Sequence, residues 1–317
     1  MESNGYGSGH LWGIVLAGGE GVRLRPLVRE IFGDERPKQY APLFGSASLL
    51  RQTLDRVARL IPPERTIIVS QQHHGAYMAR EQAGPLGPQV LFQPQDRGTA
   101  AGILFPAYWI QQRDPEATVV VFPADHFIVE EAAFMAHAAA IAAFVDRNPE
   151  RLVLVGAEPT EPEVEYGWMS PGESLGDVEG APVCRVRGFV EKPDAETASA
   201  CLGDGWLWNT MVFAVQVGTL IDTGRQLLPD LMDRLVRSAA FAGTVHSAWA
   251  IRQAYALAPK VNFSRAILQH CPPFLAVSRL PRLTWCDLGS PERVLRILKA
   301  LKLQPPRMAV PDMAAIR

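Results

Sequence analysis

The sequence has little cysteine: Cys184, Cys201, Cys271 and Cys286 stand far apart in 317 residues, without the density of a disulfide scaffold or the paired short spacings of a zinc site. A reducing cytoplasm is the expected setting. An excess of charge of one sign is also missing. Lys and Arg (31) nearly balance Asp and Glu (33), so no global field exists to hold nucleic acid or a membrane surface, and an anionic ligand must be met locally. No uncharged apolar run approaches the roughly 20 residues needed to cross a bilayer. The opening MESNGYGSGH has neither the basic start nor the apolar core of a signal peptide and reads as a frayed tail. Internal repeats and low-complexity linkers are absent, which favours one extended domain over two. The expected organisation is a tail over 1–10, a domain over 11–303 and a second tail over 304–317.

What is present is apolar content, 48%, ample for a packed core. Short continuous apolar runs recur: WGIVLA from Trp12, TIIVS from Thr66, TVVVF from Thr118 and LVLVG from Leu152. Such runs suit strands covered on both faces, as in a parallel sheet. Leu50, Leu54, Val57 and Ile61 recur at helical spacing, and Ala132 to Val145 reads as another helix. Alternation of strand and helix predicts an α/β fold, a Rossmann-like, doubly wound, mostly parallel sheet with ligands beyond the carboxyl ends of its strands. After about Glu158, Pro and Gly are frequent up to Pro182, and the segments VCRVRGFV and LWNTMVFAV read as strands of an inserted β-rich part. Helices are expected near Leu227 to Ser238 and Pro291 to Leu301.

The segment after the first strand is the most informative: Leu16-Ala17-Gly18-Gly19-Glu20-Gly21-Val22-Arg23-Leu24-Arg25-Pro26. Glycines at a strand-to-helix turn let backbone N–H groups approach phosphate oxygens, and Arg23 and Arg25 add charge-assisted hydrogen bonds. The pattern is neither a P-loop nor the dinucleotide GxGxxG. Standing alone it would be read as a glycine turn with surface arginines. It does not stand alone, because Arg36-Pro37-Lys38-Gln39 follows within reach of the same strand end.

With these residues the sequence resembles the sugar-phosphate nucleotidyltransferases, most closely the mannose-1-phosphate guanylyltransferases. The loop LAGGEGVRLRPL with RPKQ resembles that family's signature and its lysine. Further matches follow in order: the segment from Gln93 to Ala100, the strand end Val121 to His126, Tyr166-Gly167-Trp168, Phe189 to Pro193, Trp208-Asn209-Thr210 and Trp285 to Ser290. The resemblance implies Ala17, Gly18, Gly19, Gly21, Gln93 and Thr99 around the nucleotide, and Gly167, Glu191, Lys192 and Asn209 around the sugar phosphate. It implies Arg23, Lys38, Asp125 and Asp287 as the catalytic set, with the two aspartates holding Mg²⁺. Hard carboxylate oxygens at a buried strand end agree with that ion, while Asp287 also admits a reading as a helix N-cap, for which Ser290 before Pro291 is the better candidate.

The implied substrates are an NTP and a sugar 1-phosphate, with GTP and mannose 1-phosphate first. Family members often self-associate, so a homo-oligomer is expected. Several positions depart from the family pattern. Val22 replaces a usual threonine, Gln93 stands where guanylyl enzymes often have Glu, Gly98 where they often have Asn, and Met211 where Gly is usual. A Gln amide offers one acceptor and two donors and also suits uracil or thymine, so UTP, dTTP or ATP with glucose 1-phosphate stays open. A non-catalytic nucleotide-sugar sensor is the third reading. No hexapeptide repeat follows Ser290, which reads as a bare catalytic unit.

Other residues are read as structural. His73 and His74 are adjacent, and neighbouring side chains point apart on a helix or strand, so they are expected to be two surface histidines. His126 is expected to orient its loop, His137 to sit within a helix, Trp206 and Trp208 to pack in the core with a sugar platform as the alternative, and Cys286 to be unreactive.

Overall fold

A computed structural model describes residues 9–81, 87–241, 243–270 and 273–303. The expected tail over 304–317 and most of that over 1–10 lie outside these residues. The strands are β1 (Leu11–Leu16), β2 (Thr66–Gln71), β3 (Gln89–Gln93), β4 (Thr118–Pro123), β5 (Phe127–Ile128), β6 (Leu152–Ala157), β7 (Gly167–Val178), β8 (Ala181–Glu191), β9 (Leu207–Gln216), β10 (Leu275–Arg279) and β11 (Trp285–Cys286). Nine of them form one sheet in the order β3-β2-β1-β4-β9-β6-β10-β8-β7. β3, β2, β1 and β4 pair in parallel, as do β6 and β10, while β9 runs antiparallel between β4 and β6. The mostly parallel α/β sheet is therefore as expected, with two reversed strands inside it, β9 and also β8, which is antiparallel to both β10 and β7.

Period-two alternation explains why both faces are covered. Leu11 and Val15 enter one core with the helices Leu49–Val57 and Glu131–Arg147, whereas Trp12 and Ile14 enter the other with Gly98–Gln111 and Val217–Leu227. A third, smaller core holds Val28 and Ile31 of the helix Arg25–Phe32 against Leu288, Val294 and Leu298. That contact brings the helix Pro291–Ala300 beside the glycine loop. Ser290 caps it, its Oγ accepting from Arg293 N at 3.4 Å, with Pro291 at the first helical position as expected.

The helix expected near Leu227 to Ser238 is present as Pro229–Ala239, directly after another, Val217–Leu227, that the sequence did not announce. Two readings need correction. The stripe ending at Ile61 outlasts its helix, which stops at Val57 before Pro62 and Pro63. The Pro- and Gly-rich stretch before Pro182 is largely strand: β7 pairs with β8 through three register shifts around Pro171, Ser174 and Gly176. Among the described residues no helix is long and apolar enough to cross a membrane.

Candidate active site

The loop after β1 is held from behind by a buried amide. Gln39 Nε2 donates to the carbonyls of Ala17 (2.9 Å) and Gly19 (2.8 Å), while Ala17 N donates to Val69 O of β2. The neighbouring Lys38 is 14% exposed and spans the chain: its ammonium donates to the carbonyls of Asp287 (2.9 Å) and Leu288 (3.1 Å) and lies 3.2 Å from Asp125 Oδ2. Asp125 follows β4, and Asp287 follows β11. The antiparallel ribbon β5–β11, with Cys286 opposite Phe127, carries Asp287 to the Asp125–His126 end of that strand. A two-residue pairing thus brings together aspartates 162 positions apart, counting from 125 to 287.

Asp287 is the most tightly placed carboxylate. Its Oδ1 accepts from Tyr166 Oη (2.6 Å), Arg293 Nη1 (2.6 Å) and Gly289 N (3.0 Å), and among the described residues no hydrogen bond reaches Oδ2. Burial opposes its ionisation, but Lys38, Arg293 and the Tyr166 hydroxyl outweigh that and hold its carboxyl below the usual range. Arg293 also pairs with Glu163 and lies 4.5 Å over the Tyr166 ring. Burial and the Asp287 charge keep the Tyr166 phenol protonated.

A cavity of about 900 Å³ opens beyond the carboxyl ends of the strands. It is lined by Gly18, Gly19, Arg23, Lys38, Gln93, Thr99, Asp125 and Asp287 among the expected residues; Ala17 lies behind the wall and Gly21 faces an adjoining recess. Two carboxylates on one wall, with an unbonded oxygen on Asp287, suit a hard divalent cation that completes its shell with ligand oxygens and water. The residues present fit Mg²⁺.

The four sugar-side residues form a second group beside this cavity. Gly167 and Glu191 are paired across β7 and β8. A Cβ on Gly167 would lie 2.8 Å from Glu191 Oε2 and 3.3 Å from Asn209 Cβ, so a side chain there would push the Glu191 carboxylate aside. Burial pushes the Glu191 carboxyl upward. Lys192 Nζ lies 3.7 Å from Glu165 Oε2, which also accepts from Arg23 Nη1 at 2.5 Å, so one carboxylate joins a cation from each group. Asn209 is occupied by Met211: its Nδ2 donates to Sδ (3.3 Å) and its Oδ1 accepts from Met211 N (2.9 Å). Met211 lines the cavity and has φ 58, a left-handed conformation that suits glycine. The family's usual glycine there thus has a backbone reason.

Gly98 is the converse departure. Its φ is 79 and a Cβ would run into the Val261 carbonyl, so an asparagine has no room in this setting. Gln93 is buried and accepts from Tyr255 Oη at 3.3 Å, with its Nε2 near Gly18. Thr99 Oγ1 accepts from Phe263 N at 2.8 Å, a bond that holds the cavity wall together. Val22 is 62% exposed. Sequence reasoning passed over Glu165, Arg293 and Tyr255, none of which lies in a motif; only the proximity of Glu165 to Tyr166-Gly167 hinted at its place.

His126 is buried, accepts from Trp285 Nε1 at 3.2 Å and is pushed down to about 4 by burial, consistent with orienting the loop. His137 is buried in its helix, Trp208 packs against Trp168, and burial raises the Cys286 thiol. One expectation fails: His74 is only 2% exposed, and His73 and His74 converge on Glu20. They occupy a 3₁₀ turn after β2, where neighbouring side chains need not diverge as they do on a strand.

The family model for nucleotidyl transferases matches residues 12–303. The xanthan biosynthesis protein XanB of Xanthomonas campestris pv. campestris (strain B100) is 31% identical over 284 residues, 87% of this chain and 57% of its own length. A mannose-1-phosphate guanylyltransferase of Escherichia coli (strain K12) is 27% identical over 286 residues, 88% of this chain and 58% of its own. The chain thus spans less than two thirds of the length of these curated relatives. A crystal structure described as a mannose-1-phosphate geranyltransferase from Thermus thermophilus has a TM-score of 0.76 at 30% identity, covering 94% of this chain and 80% of that one.

Proposed function

Because the chain belongs to the nucleotidyl transferase family, we propose that it transfers a nucleoside monophosphate from an NTP to a sugar 1-phosphate and releases pyrophosphate, with GTP and mannose 1-phosphate as the pair. The observation that carries this reading is the single cavity onto which the glycine loop, Lys38, Gln93, Asp125 and Asp287 all open. The names of the relatives support the choice of sugar and base.

In this reading a phosphate oxygen of the sugar 1-phosphate attacks the α-phosphorus in line. The new O–P bond forms as the bond to the β-phosphate breaks, and pyrophosphate leaves with its electron pair. No protein nucleophile is needed, so positioning and charge neutralisation carry the catalysis. Arg23 and Lys38 face the triphosphate. Lys192 clamps the sugar phosphate, while Glu191 and Asn209 address sugar hydroxyls beside the Gly167 backbone. Mg²⁺, held by Asp125 and Asp287, would supply neutralisation of phosphate oxygens. Arg293 and the Tyr166 hydroxyl position Asp287 through Oδ1.

Gln93 favours one second reading, a pyrimidine nucleotide, since its amide suits uracil or thymine as well as guanine. The test is pyrophosphate release with Mg²⁺, crossing GTP, UTP, dTTP, ATP and CTP with mannose, glucose, galactose and N-acetylglucosamine 1-phosphates. Turnover confined to GTP with mannose 1-phosphate is expected. Another productive pair would keep the reaction and replace the substrates. Absence of release with every pair, in a folded protein that binds nucleotide sugars, would replace the enzyme with a sensor.

A further inference from the structure

Glu20 lies in the glycine loop, whereas His73 and His74 lie on the turn after β2. One ligand atom from each lies within 4.8 Å of the others. His73 Nε2 is 2.9 Å from Glu20 Oε1, and His74 Nε2 is 3.6 Å from the same oxygen. His74 is 2% exposed, yet neither of its ring nitrogens has a hydrogen-bond partner. A buried polar group without a partner is costly, and a ligand on it would relieve that cost. The Tyr40 ring, 5.6 Å away edge-on, packs the imidazole without satisfying it.

We propose that Glu20, His73 and His74 form a binding site for a divalent transition ion of the zinc class at the rim of the cavity, separate from Asp125 and Asp287. Two imidazoles and one carboxylate are the donor set that zinc accepts with a fourth position left to water, and the exposed side of His73 leaves that position open. The ligand types sort the metals: nitrogen donors favour a transition ion here, whereas the all-oxygen pair suits magnesium. Arg25 Nη2 lies 3.4 Å from Glu20 Oε2, so the outer partner holds one oxygen and turns Oε1 to the histidines. A bound ion would tie the glycine loop to the end of β2.

The proposal is read by metal binding alone, without turnover. The full chain, stripped with chelator, is titrated with Zn²⁺ against a chromophoric competitor in excess Mg²⁺. One equivalent is expected to bind. His73→Ala, at an exposed position, and Glu20→Gln are each expected to weaken binding about 10- to 100-fold, the effect that even outer partners of a ligand command. Co²⁺ in place of zinc should give the intense visible bands of a low-coordinate site, lost in both variants. Failure of the folded protein to take up stoichiometric zinc would overturn the proposal, as would uptake unchanged in both variants, which would place the ion on other ligands such as the thiols.

Discussion

The two groups of residues around the cavity are built differently. The nucleotide side stands on the ends of regular parallel strands, and its side chains are supported by others: Gln39 carries the loop, Lys38 the carbonyls beyond β11, Tyr166 and Arg293 the Asp287 carboxylate. The sugar side stands on a bulged hairpin and a reversed strand. Two of its residues, Lys192 and Met211, have positive φ, and its Asn209 spends one donor and one acceptor position on Met211 and keeps one of each free of that neighbour. Redundant support suits the part that fixes a reaction, and irregular backbone suits the part that chooses a substrate, since strained positions cluster where shape is decided.

The contrast can be broken most forcefully at the aspartates. Asp125→Asn should lower pyrophosphate release on the order of a thousandfold while leaving the urea midpoint close to that of the parent. Asp287→Ala should match that loss and also remove about 3 kcal/mol of stability, because Arg293 loses a partner in a largely buried network. Equal stabilities of the two variants would mean that the support around Asp287 is ornamental.

Acid separates the two sides by sign. His126 is held near a pKa of about 4 against 6.5 for the free side chain, so the unfolded chain binds the extra proton first and stability falls as pH drops through that window, by about 3 kcal/mol. His126→Phe should flatten the decline in denaturation curves taken between pH 7 and 4. Glu191 is shifted the opposite way, so its contribution rises as pH falls through its raised pKa, and Glu191→Gln should steepen the decline instead.

Two smaller effects sharpen the division of labour. Gln93→Glu offers a carboxylate to guanine N1–H and its 2-amino group, and the kcat/KM ratio of GTP to UTP should rise about tenfold. Met211→Gly relieves about 1–2 kcal/mol of left-handed backbone energy but loses buried contact and gains unfolded-state freedom. Its melting temperature should stay within a few degrees, while the relative turnover of the second-best sugar phosphate rises several-fold. A collapse in stability would show that the thioether is a core element.

The same difference explains what could be read from sequence. Continuous apolar runs announced β1, β2, β4 and β6, a strand end followed by a charged or glycine-rich segment announced Gly18 and Asp125, and the segment Arg36-Pro37-Lys38-Gln39 announced Lys38. Strand β3, with three of its five residues polar or exposed, gave no such signal, and the helix Gly98–Gln111 is apolar on every side and carries Pro106, so it shows no stripe. β7 was hidden by the proline and glycines that its bulges use. Arg293 and Glu165 act through partners 6 and 142 positions away, respectively Asp287 and Arg23, and beyond the adjacency of Glu165 to Tyr166-Gly167 nothing local marks them. The convergence of His73 and His74 depended on a turn type that side-chain alternation does not describe.

Lys38 and the Asp287 carbonyl it grips are 249 residues apart. At roughly 5–20 residues per second of translation, that interval occupies about 12 to 50 s. The glycine loop, Lys38 and the strand leading to Asp125 are therefore made long before the acid that faces them leaves the ribosome. A nascent chain carries most of the cavity floor yet lacks its clasp, because Asp287 can face Asp125 only after β11 has been made and has paired with β5.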